Sequence, residues 1–233
     1  GVTVGCLVEV DVGMGRCGVA CDEAPELPRA VAGLEGLRLR GLMGYEGHCV
    51  MIPDRRERRE AARKAMASLV ETARRVRAAG LRAPIVSGGG TGTYRVTGRF
   101  PGVTEVQAGS YATMDGRYKG IVPEFRNALT VLSTVISRPA TDRAVLDAGL
   151  KAVTPEFGLP VALEHPRLEV VKLSEEHAVA HLEGPARRLK PGDRVELVPM
   201  HGCTTINLHG TFHCVQDGQV VARWPIAASA FTR

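Results

Sequence analysis

Hydrophobic and polar positions in the first half of the chain repeat one arrangement, a short apolar run, a glycine-rich turn and a helical pattern. The run VTVGCLVEV is followed by the turn DVGMGRCG, and RLRGLMGY, APIVSGGG and VTEVQAGSY are three further β-branched or apolar runs. Each run is bounded by small or turn-forming residues, which is typical of buried strands. The pattern therefore predicts four strands before about residue 112.

Two helical patterns lie between these runs. DEAPELPRAVAGLEGL predicts a short helix with Asp22 as a possible N-cap. Asp54 would cap the longer helix RRERREAARKAMASLVETARRVRAAG, and Gly80 would end it. Its apolar face recurs at helical spacing through Ala62, Met66, Leu69, Ala73 and Val76.

Strand, glycine turn and helix in repetition favour parallel βα units. After RNALTVLSTVISRP the pattern changes to short β-rich runs, LEVVKLSE, DRVELVPM and TFHCVQDGQVVARWPI, separated by turns such as LKPGD and QDGQ. We therefore expect an α/β domain over residues 1–125 and an antiparallel, all-β domain over residues 126–233.

Composition narrows the functional classes. The chain has 233 residues, 44% of them hydrophobic, which is enough for one large or two modest cores. Its net charge of +5 is scattered among acidic residues and only 4% of residues are aromatic, so a nucleic-acid surface is not indicated. Six cysteines without a CxxC pair, and no apolar run of eighteen residues, predict a cytoplasmic protein without a membrane partner.

Each predicted strand ends in chemically useful residues. Arg16 follows the first, GYEGH the second, SGGGTGT the third and QAGSY the fourth. In parallel α/β architectures, functional residues gather at the carboxyl ends of the strands. SGGGTGT offers unshielded backbone N–H groups that suit a phosphate, although it lacks the GK[ST] of a P-loop and could instead be a flexible loop.

These motifs resemble those of a known family. VDVGMGRCG resembles the strand end of fold type III, alanine racemase-like enzymes that use pyridoxal 5'-phosphate (PLP). SGGGTGT, EVQAGSYATMD, LSEEH and PMHGCTTINLH resemble the D-threonine aldolase / D-serine dehydratase branch of that family. The resemblance implies the C-terminal half of a PLP-binding TIM-type (β/α)8 barrel, followed by a D-serine dehydratase-like β domain.

The resemblance also implies roles for individual residues. Arg16 would contact the phenolic oxygen of PLP, and Tyr45 and His48 would line the cofactor and substrate pocket as candidate catalytic residues. Gln107 would face the pyridine nitrogen, and Tyr111 would either pack by the phosphate or belong to the core. The phosphate itself would be bound by Ser87, Gly88, Gly89, Thr91, Gly109 and Ser110.

His201 and Cys203 are two residues apart in VPMHGC. On an extended strand both side chains would point to one face and could reach one metal ion, although the spacing by itself favours a half-buried strand without metal. A nucleophilic thiol is the weakest alternative, because no Cys–His–acid arrangement is indicated. The resemblance implies a divalent metal here, zinc or else manganese or magnesium. His177 would either approach the site from the β domain as a candidate catalytic residue or be structural.

The lysines depart from the family pattern. The chain has only Lys64, Lys119, Lys151, Lys172 and Lys190, and none ends an early predicted strand, where the family carries its PLP lysine. The strand before Arg16 corresponds to about the fifth of eight in the family. We therefore expect the chain to lack the N-terminal part of its family and to be inactive alone. The resemblance implies a homodimer.

The resemblance implies a lyase acting on a small D-β-hydroxy amino acid. The reaction that we expect from it is D-threonine aldolase-type, retro-aldol cleavage to glycine and an aldehyde, and the alternative is D-serine dehydratase-type elimination to a keto acid and ammonia. Cys203 favours the dehydratases, because the aldolases usually carry an aspartate there, whereas SGGGTGTY favours the aldolases. Met51 stands where aldolases carry a further histidine, which weakens the aldolase interpretation. A non-catalytic PLP-binding protein and an inactive fragment are the alternatives of another class.

Overall fold

The computed structural model describes residues 1–229 and divides the chain into two compact units. The first is Gly1–Tyr111, and the second begins at Ala112. This boundary lies earlier than the predicted residue 125, because the intervening segment bonds to the second unit. The N–H of Gly116 donates to the Pro199 carbonyl (2.9 Å), and the N–H of Ala128 donates to the Thr113 carbonyl (2.9 Å).

The first unit is a parallel sheet with helices between its strands, as the sequence predicts. Its strands lie in the order β1-β2-β3-β4, and all three pairings are parallel. The strands are β1 (Val4–Glu9), β2 (Leu37–Gly44), β3 (Ile85–Gly88) and β4 (Glu105–Val106), and the helices are α1 (Glu26–Gly33), α2 (Arg55–Ala78) and α3 (Tyr94–Thr97). A 3-10 turn, Ser110–Ala112, follows β4.

Helix α2 supplies much of the core of this unit. The predicted apolar face is confirmed, since Ala62, Met66, Leu69, Ala73 and Val76 are all buried. They pack in one cluster with sheet residues that include Leu42 and Val86. Gly80 follows the helix with φ of +81°, a conformation that favours glycine. Period-3.6 patterning therefore located both the helix and its buried side.

The two predicted helix caps differ in outcome, and this difference gives a stability test. The Asp54 carboxylate accepts the Glu57 N–H at 2.7 Å, whereas α1 begins at Glu26 with Pro25 at its N-cap, so the prediction of Asp22 as a cap was wrong. Asp54→Ala should lower the free energy of unfolding by about 1 kcal/mol, because it leaves an N-terminal N–H unpaired. Asp22→Ala is the matched control, and chemical denaturation should show no loss. Equal effects of the two substitutions would contradict the assignment.

The second unit is built from antiparallel strands, which confirms the predicted β domain. Six strands close into a barrel in the order β10-β5-β6-β9-β8-β7, and β11 and β12 form a separate hairpin. The strands are β5 (Val131–Ala140), β6 (Arg143–Leu146), β7 (Val161–Ala162), β8 (Leu168–Leu173), β9 (Ala178–Leu182), β10 (Arg194–Val198), β11 (Thr211–Gln216) and β12 (Gln219–Pro225). Two short helices, α4 (Gly116–Lys119) and α5 (Gly202–Ile206), and a 3-10 segment, Gly184–Arg188, complete the unit.

Residues along the barrel strands alternate between an apolar interior and a more exposed outer face. Val135, Leu146, Leu182 and Leu197 are fully buried in one cluster. In the hairpin, Asp217 and Gly218 both have positive φ, which is the two-residue turn that Asp-Gly favours. Within residues 1–229, no helix combines the length and apolar character needed to cross a bilayer.

Candidate functional site

The turns after β1 and β2 bring three of the predicted site residues into one region. The Arg16 guanidinium lies 5.7 Å from the centre of the Tyr45 ring and 3.8 Å from a Glu9 carboxylate oxygen. The turn holding Arg16 is shaped by Asp11, whose carboxylate accepts the N–H groups of Gly15 (3.1 Å) and Gly13 (2.9 Å). These two hydrogen bonds, that of Gly15 first, lower the pKa of Asp11.

His48 is exposed beside the same turn. A Cβ added at Gly13 would lie 3.1 Å from His48 Nε2, so the imidazole already fills the space next to the Gly13 backbone. Gly13 also has φ of +115°, a second reason for glycine at this position. The predicted residues Arg16, Tyr45 and His48 therefore lie at adjoining strand ends.

The SGGGTGT loop is organised by a residue that the sequence analysis did not single out, Glu46. Its carboxylate is fully buried and accepts the Gly89 N–H at 2.8 Å, the Thr93 hydroxyl at 2.8 Å and the Thr97 hydroxyl at 2.7 Å. Three charge-assisted hydrogen bonds to one carboxylate tie the loop to the end of β2. The available signal was an acidic residue between Tyr45 and Gly47, in a segment otherwise predicted to be a strand end.

Close packing also fixes the loop. A Cβ at Gly92 would overlap the Val50 carbonyl oxygen, so only glycine allows this approach of the two backbones. Thr91, Thr93 and Thr97 are buried. This packing argues against the flexible-loop alternative and supports a preformed turn.

Ser87 and Gln107 are engaged with each other. The Ser87 hydroxyl donates to Glu105 Oε1 at 2.5 Å and accepts from Gln107 Nε2 at 2.9 Å. The Gln107 N–H donates to the Gly88 carbonyl at 2.9 Å, which joins the ends of β3 and β4. Contacts of Ser87 with a phosphate and of Gln107 with a ring nitrogen stay predictions, and each would require these side chains to exchange partners.

The turns after β3 and β4 are joined by Thr91. Its hydroxyl accepts the Tyr111 N–H at 3.0 Å, which places QAGSY against the glycine loop. Within residues 1–229, the N–H groups of Gly92, Gly109 and Ser110 donate no hydrogen bond to another residue. Tyr111 is 48% exposed and therefore not a core tyrosine. Two fixed turns with unpaired donors have the chemistry required to bind a phosphate.

Cys49, in the turn that Glu46 begins, has the opposite character from a reactive thiol. Burial, with a smaller contribution from the Glu46 carboxylate, raises the pKa of Cys49 to about 11. Because the thiolate is the reacting species, we expect no alkylation of Cys49 in the folded protein at pH 8. The exposed Cys17 and Cys203 should react first. Peptide mass spectrometry after timed labelling checks this, and labelling of Cys49 as fast as that of Cys17 would contradict it.

None of the five lysines ends a strand of the first unit. Lys64 is its only lysine and lies exposed within α2. In the second unit, Lys119 donates to the Pro123 and Phe125 carbonyls, and Lys151 pairs with Glu176 at 2.8 Å. The remaining two, Lys172 in β8 and Lys190 before β10, are exposed. None of these lysines is therefore assigned to the covalent attachment of PLP at the carboxyl ends of β1 to β4.

The HGC segment lies in the second unit and is not a strand, so the prediction of an extended strand there was wrong. His201 is extended (φ −142°, ψ 112°), but helix α5 starts at the next residue and contains Cys203. The Gly202 N–H points to the buried Asp115, whose Oδ2 lies 3.4 Å away. Helix α5 buries Thr205, whose hydroxyl accepts the Thr154 N–H at 3.3 Å. These tertiary contacts outweigh the strand preference of the β-branched residues that follow.

His201 has a carboxylate partner. Its Nδ1 lies 2.9 Å from Glu156 Oε2, and its ring centre lies 5.0 Å from that of Phe157. The hydrogen bond with His201 is the largest of the interactions that lower the pKa of Glu156. Cys203 is the second residue of helix α5, and its side chain is exposed. An imidazole with Nε2 left available and a neighbouring thiol are a suitable donor pair for zinc.

The other predicted residue of this unit, His177, is exposed in the turn between β8 and β9, where its carbonyl accepts the Ser174 N–H at 2.8 Å. Across the described part of the chain, no group of three or more His, Cys, Asp or Glu side chains is arranged to hold a metal. A metal at His201 and Cys203 would therefore have two protein ligands, with open positions for water or substrate.

Two family models match the chain, one in each unit. The alanine racemase N-terminal domain matches residues 1–116, and the putative serine dehydratase domain matches residues 128–215. D-threonine aldolase from Arthrobacter sp. is 40% identical over all of this chain and 63% of its own length. The chain thus spans less than two thirds of this curated relative.

Solved structures agree with this relationship. D-threonine aldolase from Filomicrobium marinum is 35% identical, with a TM-score of 0.95 over 99% of this chain and 64% of that one. D-threo-3-hydroxyaspartate dehydratase from Delftia sp. HT23 is 28% identical, with a TM-score of 0.84 over 96% of this chain and 65% of that one. Structures of two alanine variants of this dehydratase have also been solved. One replaces a histidine and the other a cysteine two positions later, and the cysteine variant is in a metal-free form.

Both family models fall in the order of the two structural units, and together they account for most of the chain. Both units of the chain are covered by the matches to these solved relatives. The chain belongs to the alanine racemase-like family of PLP enzymes, in the D-threonine aldolase / D-serine dehydratase-like branch that joins the racemase domain to a serine dehydratase domain.

Proposed function

We propose that this chain is part of a PLP- and metal-dependent lyase that cleaves D-β-hydroxy amino acids by a retro-aldol reaction, as a D-threonine aldolase does. The observation that carries the proposal is the pair of fixed turns after β3 and β4, where Thr91 joins the backbone at Tyr111 and leaves donors for a phosphate. The similarity to D-threonine aldolases over the whole chain supports the same activity.

The first unit would hold the cofactor by its phosphate. The N–H groups of Gly92, Gly109 and Ser110 would donate to phosphate oxygens, in addition to the predicted contacts of Gly88 and Thr91. The predicted contact of Gly89 would have to be made without its N–H, which already donates to Glu46 at 2.8 Å. Arg16 would hold a positive charge at the phenolic oxygen, with Tyr45 beneath its guanidinium. When bound, PLP supplies an electron sink for the carbon at which the bond breaks. A lysine for covalent attachment would have to come from outside residues 1–233.

The second unit would hold the metal through His201 and Cys203. Imidazole nitrogen and thiolate sulfur favour zinc over magnesium or manganese. When bound, the metal supplies a Lewis acid for the substrate hydroxyl. His201 would orient that site through its ring, because its Nδ1 is already committed to Glu156 at 2.9 Å and only Nε2 remains for a metal.

We also propose that the four-stranded sheet is one half of a (β/α)8 barrel. Among residues 1–229, its outer strands, β1 and β4, each pair with one other strand, and Val4 and Val106 on them are exposed. A parallel sheet with open edges is normally covered on both faces and paired at its edges. Four further strands, completing a barrel between β1 and β4, would pair with the backbone N–H and C=O groups at these two edges.

Dehydration is the second candidate, and Cys203 is the residue that favours it. The related hydroxyaspartate dehydratase has a histidine and a cysteine at the same spacing, and its cysteine variant is known metal-free. Both reactions use the residues described above and differ in which bond to the substrate α-carbon is broken.

Cofactor binding is tested first, on this chain alone, by calorimetric titration with PLP and with pyridoxal, which lacks the phosphate. We expect PLP to bind at least about tenfold more tightly, a difference of roughly 1.4 kcal/mol. Thr91→Val, which removes the acceptor for the Tyr111 N–H, should reduce this preference. Equal affinity for PLP and pyridoxal would overturn the phosphate cradle.

The reaction is tested on the chain together with the sequence encoded upstream of Gly1, supplied with PLP and zinc. We expect glycine and acetaldehyde from D-threonine, and no turnover of L-threonine as the matched control. A keto acid and ammonia from D-threonine or D-serine would instead establish the dehydratase. PLP binding without turnover of any D-β-hydroxy amino acid would overturn the lyase and favour a PLP-binding protein.

A further inference from the structure

The segment of residues 154–158 is hydrogen-bonded to helix α5 and contains Glu156, whose carboxylate contacts His201. The Thr154 N–H donates to the buried Thr205 hydroxyl at 3.3 Å, and the Glu156 N–H donates to the Thr154 hydroxyl at 3.2 Å. The first hydrogen bond ties the segment to the helix that contains Cys203, and the second fixes the local backbone at Glu156. The position of the Glu156 carboxylate is thus set by the same element as the two predicted metal ligands.

The conformation of this segment is costly, which indicates that its geometry is imposed by the surroundings. Phe157 has φ of +66°, although a bulky side chain rarely adopts the left-handed region. Its ring is close to two groups, with the Arg117 guanidinium 4.0 Å from its centre and the His201 ring 5.0 Å from it. The strained residue thereby packs against one side of the imidazole while Glu156 engages its Nδ1.

We infer that Glu156 is the positioning residue of the metal site. Its carboxylate accepts the Nδ1–H of His201, which fixes the tautomer with the lone pair on Nε2 and holds the ring plane for a metal ion. Glu156 does not itself bind the metal. This inference rests on the proposed metal site at His201 and Cys203, and it extends that site by one residue.

The alternative is an ordinary surface contact, which would contribute little to any property of the protein. The chain contains a matched example, because Glu183 lies 3.6 Å from His181 Nε2 on the barrel surface. The His201 side chain is 26% exposed and that of His181 is 41% exposed, so the Glu156 contact is the better shielded of the two. Only a positioning role makes Glu156 necessary for metal affinity.

The test is zinc affinity, measured by competition with a chromophoric chelator on the full chain. Loss of an outer partner of a metal-bound histidine weakens binding by roughly 10- to 100-fold, and we expect that loss for Glu156→Ala. Glu156→Gln should retain part of the affinity, because its amide oxygen still accepts the Nδ1–H. Glu183→Gln is the matched control and should bind zinc as the wild type does.

A second readout needs no metal. In the metal-free protein, the ¹⁵N shifts of His201 should report Nδ1–H in the wild type and a shift of the proton toward Nε2 in Glu156→Ala. Unchanged zinc affinity and an unchanged tautomer in Glu156→Ala would overturn the inference. Wild-type zinc affinity in both His201→Ala and Cys203→Ala would overturn the metal site itself, so failure of the inference and failure of the proposed site are distinguished.

Discussion

Replacing Glu46 by alanine is expected to lower the free energy of unfolding by about 3 to 5 kcal/mol, because a buried donor left without a partner costs about 1 to 3 kcal/mol. The Gly89 N–H and the Thr97 hydroxyl lose their acceptor at once, and the Thr93 hydroxyl is left with the longer contact to the Gly90 carbonyl at 3.4 Å. The carboxylate is fully buried, so bulk water does not reach these groups without a structural change. Urea denaturation of the chain, followed by circular dichroism, measures the loss.

Three further variants separate the contributions. Thr97→Val removes one of the three hydrogen bonds at nearly constant volume and should cost about 1 to 2 kcal/mol. Glu46→Gln keeps an acceptor for the threonines but replaces the oxygen facing the Gly89 N–H when its amide nitrogen lies there, so its loss should be intermediate. Glu60→Ala, in an exposed pair with Arg56, is the control and should change stability little. A loss for Glu46→Ala no larger than that for Glu60→Ala would contradict the role of Glu46.

This buried carboxylate also bears on function. Glu46 holds the backbone at Gly89, and Thr91 in the same loop receives the Tyr111 N–H. Loosening the loop would therefore disturb both turns, the one that offers the Gly92 donor and the adjoining one that offers the Gly109 and Ser110 donors. A preformed anion site does not have to be ordered at the moment of binding, which preserves affinity.

Local patterns in the sequence were sufficient for the elements of the fold. The apolar face of α2 and the Asp54 cap depend on residues three to four positions apart, and both are confirmed. The alternating runs after residue 130 likewise became strands of the barrel or of the hairpin. The motif resemblance added the family, which the two matching domain models bear out.

The errors and omissions concern contacts between distant parts of the chain. His201 and Cys203 were expected on a strand, but Asp115, far earlier in the sequence, lies against the Gly202 N–H at the start of a helix. Glu46 bonds to Thr93 and Thr97, which follow a different strand. Glu156 was not singled out because nothing near it in sequence indicates His201. Spacing along one element does not encode such partners.

Among the substitutions proposed in the second unit, removal of either proposed metal ligand should lower the zinc affinity most. His201→Ala and Cys203→Ala should each weaken zinc binding by more than about 100-fold, since loss of an outer partner alone costs roughly 10- to 100-fold. Neither side chain belongs to the barrel core, where Val135 and Leu182 are buried, so the fold should persist. Elemental analysis of the purified proteins, with circular dichroism to verify folding, measures both points.

The substitution Cys203→Asp tests which metal the site prefers, because it replaces a thiolate ligand by a carboxylate. A carboxylate is a harder donor than a thiolate, so the variant should lose zinc affinity and bind manganese or magnesium relatively better than the wild type. Cys17→Ser, an exposed cysteine of the first unit, is the matched control and should keep the wild-type metal preference. Equal zinc content in wild type, Cys203→Ala and Cys203→Asp would exclude Cys203 as a ligand. Because Cys203 is also the residue that favours dehydration, a Cys203→Asp variant with higher retro-aldol activity would connect the choice of metal donor with the choice of reaction.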